Sequence, residues 1–366
     1  MIGYIIRRIF FIAPTLLGIM VLNFALVQFV PGGPVEQMIH QFENESSNLS
    51  LLGGSGVDAG QEKINLQKST KDSTYKGAHG LPEEFIKDLE IQFGFDKPPI
   101  ERFISMIKNY LTFNFGESYF RSISVIDLIV EKMPVSISLG LWSTLLAYLI
   151  SIPLGIKKAV NDGSNLDTIT SGIIIVCYSL PGFLFAIILL VFFAGGSYYQ
   201  IFPLRGLTSD NWNELNLIER IIDYIWHIAL PVLASTIGSF ATLTLLTKNS
   251  FVDEIKKQYV TTAKAKGLSD NNILYGHVFR NAMLIIIAGF PGLFISAFFG
   301  GSLIIETIFS LDGLGRLGFE AALTRDYPVM FGTLYFFGLL GLIIGLISDL
   351  VYVLVDPRID FEGRST

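Results

Sequence analysis

Residues 329–355 read VMFGTLYFFGLLGLIIGLISDLVYVLV, and Asp349 is the one charged side chain among them. About 20 mostly apolar residues are enough for an α-helix to cross the hydrocarbon of a bilayer. Five more stretches qualify: 9–30, 135–156, 169–194, 228–247 and 282–305. None of the six contains Lys or Arg, and Asp349 is their only acid. Beyond them the same bias persists. Of 366 residues, 51% are hydrophobic and 16% charged, with a mean hydropathy of +0.53. Soluble domains carry about 25% charged residues, so a disordered chain is excluded and the composition argues against an ordinary soluble enzyme. Net charge −6 and a pI near 5.3 argue against a nucleic-acid partner. The predicted fold is all-α, a polytopic membrane protein with six transmembrane helices.

Basic residues set the orientation, because they gather on the cytoplasmic side. With the N-terminus inside, the inner segments hold Arg7, Arg8, Lys157, Lys158, Lys248, Lys256, Lys257, Lys264, Lys266, Arg280, Arg358 and Arg364. The two short outer loops hold only Arg205, Arg220, Arg316 and Arg325. Both termini are therefore expected in the cytoplasm. The first apolar run is too long for a signal-peptide core and is read as a retained span. Asp349 reads either as an interfacial residue pairing near Arg358 or as a proton or substrate site.

Four regions follow. Residues 1–30 are an N-terminal segment and first helix, and 31–134 form a long outer loop. Residues 135–355 form a five-helix core with an inner loop at 248–281, and 356–366 form an inner tail. Within the outer loop, 43–80 is polar and predicted mobile. Its glycosylation-type triplets at Asn44 and Asn48 read as chance. Residues 81–133 are predicted helical, with Phe85, Leu89 and Phe93 on one face and Phe103, Ile107 and Leu111 repeating the spacing. This part is either a packed cap or a docking surface for an external partner. The lone Cys177 excludes an internal disulfide and a Cys-based zinc site.

Most functional signal lies in the inner loop. Phe251, Ile255, Tyr259 and Ala263 fall at i, i+4, i+8 and i+12, which predicts an amphipathic helix. Gly267 ends it as a C′ glycine would. Ser269 then fits an N-cap, with Asp270 at the positive end of a second short helix. The small residues Thr261, Thr262, Ala263 and Ala265 suit close packing into a protein groove better than seating in lipid headgroups.

Tyr259 to Ser269 (YVTTAKAKGLS) and His277 to Ala282 (HVFRNA) resemble the E-A-A loop of ABC importer permeases of the dipeptide and oligopeptide branch. Thr261, Thr262 and Ala263 stand where the general motif has Glu-Ala-Ala, and Gly267 is its invariant glycine. The motif's later Ile-x-Leu-Pro is missing here. Further matches are Arg7-Arg8, Pro31-Gly32-Gly33-Pro34, residues 93–98 (FGFDKP), 114–118 (NFGES), Asp326-Tyr327-Pro328 and Asp356-Pro357-Arg358. The long loop around Asp72 to Gly77, and residues 193–198 (FAGGSY), are most similar to the YejB-type branch, associated with oligopeptide and microcin C uptake.

The resemblance implies a type I permease fold in the bacterial inner membrane, importing oligopeptides or peptide-like compounds by alternating access. It implies a homologous second permease subunit, ABC ATPase subunits or a fused ATPase, and a periplasmic peptide-binding protein, besides membrane lipid. ATP and Mg would sit on partner subunits and no cofactor on this chain. The ATPase-coupling residues it implies are Thr261, Thr262, Ala263, Lys264, Ala265, Lys266, Gly267 and Ser269, centred on Ala263 and Gly267. No G-x-x-x-x-G-K-[ST] occurs, so the chain is not expected to hydrolyse ATP. Residues 313–318 (GLGRLG) spell G-x-G-x-x-G but follow an apolar helix rather than a strand, and read as a turn. The rival readings are an ATP-independent secondary transporter or channel, which would need inverted repeats, helices broken by Gly or Pro at mid-membrane, or paired intramembrane charges, and a membrane scaffold acting through its outer loop. Pro181 and Pro291 interrupt spans, but the charges are absent.

Overall fold

Helix is the regular structure throughout the described residues, with one isolated antiparallel bridge between Glu117 and Ser124. The computed structural model describes residues 2–29, 87, 96–195, 198–299 and 302–355. The readings at 31–34, the Asn44 and Asn48 triplets, the tract 43–80, the helix around Phe85, Leu89 and Phe93, and the tail 356–366 lie outside them. The helices are α1 Ile2–Phe29, α2 Pro99–Leu111, α3 Val125–Val160, α4 Asn165–Ser179, α5 Gly182–Phe193 and α6 Leu217–Ile255. There follow α7 Gln258–Ala265, α8 Asp270–Ile273, a π-helical segment Leu274–Val278, α9 Phe279–Phe299, α10 Ser302–Ile308, α11 Leu314–Thr324 and α12 Tyr327–Val355.

Among the described residues five helices are long and apolar enough to cross a membrane. A sixth crossing exists if the pair α4 and α5 is one span, but the two are bent by 95°. The span expected over 169–194 is thus two helices meeting at Pro181. Leu180 is extended (φ −81°, ψ 122°) because it precedes Pro181, whose ring disfavours the α-region one residue back. Helix extents also exceed the apolar runs. Ser164 caps α4 by accepting from the Asp167 N–H. Asn216 and Glu219 close a full capping box at α6. At 39 residues, α6 is about 58 Å long, nearly twice the hydrocarbon thickness.

The chain divides into two units. The first comprises Met1–Ile12, Val130–Leu317 and Phe337–Thr366. One of its apolar cores joins Leu139 of α3, Ala186 and Leu189 of α5, and Ile228, Leu230 and Ala234 of α6 to Phe309 and Leu311. A second lies around Phe251 and is described below. Asp349 pairs with Arg8 at 2.8 Å and accepts from the Tyr4 hydroxyl at 2.9 Å. An arginine of the first helix is thus its partner, and Arg358, named in the sequence reading, lies outside the described residues.

The second unit comprises Ala13–Ile129 and Gly318–Phe336. Here α2 turns Phe103, Ile107 and Tyr110 inward, while Leu111 is 72% exposed. The stripe expected through Leu111 closes through Tyr110 instead, an i, i+4, i+7 face. Tyr110 packs edge-on against Phe115, with ring centres 4.9 Å apart, and Tyr335 contacts both. Ser118 Oγ and the Tyr119 N–H both donate to the Asp326 carboxylate. Burial nevertheless holds this carboxyl above the ordinary carboxylate range, against those donors. The sign follows. The folded state binds the proton more tightly than the unfolded chain, so the stability this group supplies is complete below about pH 4 and is lost as pH rises through the raised value. Asp326→Asn is expected to remove that downward slope from the melting temperature as pH rises above about 4. An unchanged slope in detergent melts would assign the slope elsewhere.

Candidate functional site

The loop singled out in the sequence is folded as two helices around a sharp turn. Helix α6 ends at Ile255, and Lys256 and Lys257 interrupt it before α7. The expected single helix through 251–266 is therefore broken, although its stripe survives the break. Phe251 is buried, and Ile255, Tyr259 and Ala263 are half-buried. Glu254 stabilises the interruption by pairing with Lys257 and accepting from the Tyr259 hydroxyl at 2.9 Å. Burial and that carboxylate push the Tyr259 phenol up, so it stays a donor.

Helix α7 ends in a Schellman motif. The Gly267 N–H donates to the Lys264 carbonyl at 2.9 Å and the Leu268 N–H to the Ala263 carbonyl at 3.3 Å, with Gly267 at φ +83°. Ser269 caps α8 through the Asn272 N–H, and Lys264 pairs with Asp270 across the turn at 2.9 Å.

The knob stands on an apolar base. Phe251, Val260, Ile273, Val278, Ala282 and Ile286 share one core with Ala147, Ile156 and Ala159 of α3. Ser250 Oγ donates to the Ala282 carbonyl at 2.7 Å, tying α6 to α9. Above that base Thr261, Thr262, Lys264, Ala265, Lys266, Gly267 and Ser269 are all exposed, so seven of the eight proposed residues share one surface. Ala263 is the exception, turned half into the core. A cavity of about 210 Å³ opens beside the turn, between Val260, Lys264 and Asp270 of the loop and Ala159 and Val160 of α3. It has no place in the sequence reading. His277 is exposed on the π-helical segment.

Two charged constellations escaped the sequence reading. Lys158 is fully buried, yet its Nζ reaches Asp167 Oδ1 at 2.9 Å, Thr170 Oγ1 at 2.7 Å and Ser171 Oγ at 2.8 Å. Lys248 of α6 holds the other oxygen of Asp167 at 2.7 Å and Asp162 at 2.9 Å. Among positive-inside residues Lys158 and Lys248 look like solvated flanks. The Ser164-x-x-Asp167 capping signature was the available signal, since it starts a helix before Ile169.

The second is Glu306, also fully buried. Its carboxylate accepts from Ser136 Oγ at 2.9 Å and from the Arg316 N–H at 2.8 Å, and the Leu314 N–H donates to Ser136 Oγ at 2.8 Å. Gly313, first of the G-x-G-x-x-G, lies against that carboxylate, which is where a Cβ would fall. A phosphate seeks amides at a helix start. At α11 the chain's own glutamate takes that place, and the expected turn is corrected: only Gly313 precedes the helix, while residues 314–318 form its start. Among the described residues no group of three His, Cys, Asp or Glu side chains could hold a metal.

A broken helix and buried charges are also what an ATP-independent carrier would need, so geometry alone does not separate the two transporter readings. Comparison with known proteins does. Residues 151–361 match the family described as binding-protein-dependent transport system inner membrane component. The peptidoglycan transport system permease protein YejB of Agrobacterium fabrum is 60% identical over 99% of both chains. The inner membrane ABC transporter permease protein YejB of Escherichia coli O157:H7 is 57% identical over 99% of this chain and all of that one. The oligopeptide transport system permease protein AppB of Bacillus subtilis is 31% identical over the same shares. A solved structure of the inward-facing MetNI methionine ABC transporter is 15% identical, covers 63% of this chain and 97% of its own, and has a TM-score of 0.49.

Proposed function

The chain belongs to the family of binding-protein-dependent transport system inner membrane components, and from that footing we propose how it works and what it carries. It is a permease subunit of an ABC importer in the inner membrane, a transport component rather than an enzyme. Its cargo is oligopeptides or peptide-like compounds, with peptidoglycan fragments and microcin C-type compounds within the class. The names of its relatives support peptides, and one supports peptidoglycan.

The subunit crosses the membrane six times with both termini in the cytoplasm, α4 and α5 forming one bent crossing. The bias of Lys and Arg toward one set of loops supports that orientation. The loop 31–134 then lies in the periplasm, facing a peptide-binding protein. A homologous second permease completes the pore, and ABC ATPase subunits or a fused ATPase sit beneath the knob. Thr261, Thr262, Lys264, Ala265, Lys266, Gly267 and Ser269 meet the ATPase, and Ala263 carries the contact into the core. The observation that carries this reading is the exposed, small-residue surface of α7 on a base shared with α3, α6 and α9. Such a knob moves the spans when it is pushed. ATP changes the access state only if each state binds it differently.

The test is a gentle-detergent purification of the chain from its native membrane, with co-purifying subunits identified and ATP hydrolysis measured. Recovery of a P-loop ATPase, lost on joint substitution Ala263→Leu and Gly267→Val, is the expected result. A chain that purifies without any ATPase would overturn the proposed coupling surface.

A further inference from the structure

Helices α3 and α6 touch backbone to backbone near the loop: a Cβ on Gly155 would stand 2.5 Å from Thr247 Cβ and 3.0 Å from the Thr244 carbonyl. From that crossing both helices run on into the base of the knob, through Ile156 and Ala159 on one and Phe251 on the other. This makes the ends of α3 and α6, the loop and the start of α9 one apolar body. Helix α4 packs along α6 farther on, where its Ile174 is buried, but its first turn gives no residue to the two apolar clusters described above. What ties its first turn to the body is the ion cluster. Lys158, three residues past Gly155, and Lys248, one past Thr247, each take one oxygen of Asp167. Lys158 also donates to the Asp167 carbonyl at 2.9 Å, and Asp167 is itself buried.

An apolar joint would hold such helices as well, since replacing a buried ion pair by packed apolar residues is often neutral or stabilising. A carboxylate gripped at both oxygens by lysines from two helices offers something else, a fixed direction and register. Beyond it α4 runs to the 95° bend and into α5, which packs on α6 in the other core. We propose that Asp167 is a positioning residue that hands movement of the knob to the bent α4–α5 pair. The proposal rests on the coupling reading above and adds where the movement goes.

The experiment uses the assembled importer in proteoliposomes, with a radiolabelled oligoalanine peptide and its ATPase partners, and reads ATP hydrolysed per peptide imported. With Asp167→Asn, complexes assemble and hydrolyse ATP, but peptide imported per ATP falls by at least about tenfold, within the usual range of coupling between sites. Asp167→Glu, which keeps the charge, recovers part of it. The double variant Lys158→Met with Asp167→Asn removes the orphaned buried ammonium. The amount of complex stays that of the unsubstituted importer while the ratio stays poor. A purely structural cluster predicts the reverse: fewer complexes, each with the wild-type ratio, and full recovery in the double variant. Either of those results overturns the proposal. Absence of ATP-driven uptake in the unsubstituted importer would instead overturn the functional reading, and this one with it.

Discussion

Gly267→Val is expected to stop ATP-driven uptake while the chain still inserts and accumulates in the membrane. No atom lies within 4 Å of the place where a Cβ would stand at Gly267, so crowding is not the cause. The backbone is. Gly267 sits at φ +83°, where a β-branched residue is a genuine outlier and even simple L-residues lose about 1–2 kcal/mol. Relaxing to negative φ would release the Gly267 and Leu268 N–H groups from the carbonyls of Lys264 and Ala263. It would also swing Ser269 and Asp270 away from their cap and their pair with Lys264. The buried base through Phe251, Val260 and Ile273 is untouched, so the penalty falls on the shape of the knob and not on the fold. Uptake into right-side-out vesicles loaded with ATP should fall by at least about tenfold at equal protein, the scale of a lost coupling interaction. Gly267→Asn, which tolerates positive φ, should retain most of it. A valine variant importing at the unsubstituted rate would remove the coupling role from this turn.

The fold was legible where a single physical signal decides it. Long apolar runs marked the crossings, and Gly267 and Ser269 marked the turn, because hydropathy and capping act locally. Helix extents were less legible because hydropathy reports the apolar middle only. The first turns of α6 carry Glu219, Arg220 and Asp223 and so fell outside the run, although Asn216 and Glu219 spell a capping box. The break at Lys256 and Lys257 was hidden by a stripe that keeps its period across it. The half-burial of Ala263 was legible, because it lies on the apolar stripe with Phe251, Ile255 and Tyr259, while the burial of Val260 beside it lay off that stripe. The charged clusters were the least legible part. Lys158 meets a carboxylate nine residues on that is also held from α6, and Glu306 meets a serine 170 residues away. Pairs that distant are set by packing, and a chain read singly shows only their members.

Gly313→Ala is expected to give the largest loss of stability among these variants. A methyl group there falls on the Glu306 carboxylate. The far end of a long side chain normally moves aside cheaply. This one is fully buried, and moving it would cost the bonds from Ser136 Oγ and the Arg316 N–H together. Each of these hydrogen bonds to a charged group contributes about 1.5–3 kcal/mol, and the Arg316 amide at the start of α11 would be left without its acceptor. Thermal unfolding of the purified chain in detergent should show the loss as a clear drop in melting temperature. The cause can be isolated. Glu306→Ala also destabilises, by stranding the Arg316 amide and Ser136, but it empties the space the methyl group needs. If the collision with Glu306 is the source, adding Gly313→Ala to Glu306→Ala costs little more, and the two changes are strongly non-additive. Additive losses would mean that Gly313 is constrained by its backbone and not by the carboxylate. The G-x-G-x-x-G would then owe its first glycine to the turn alone.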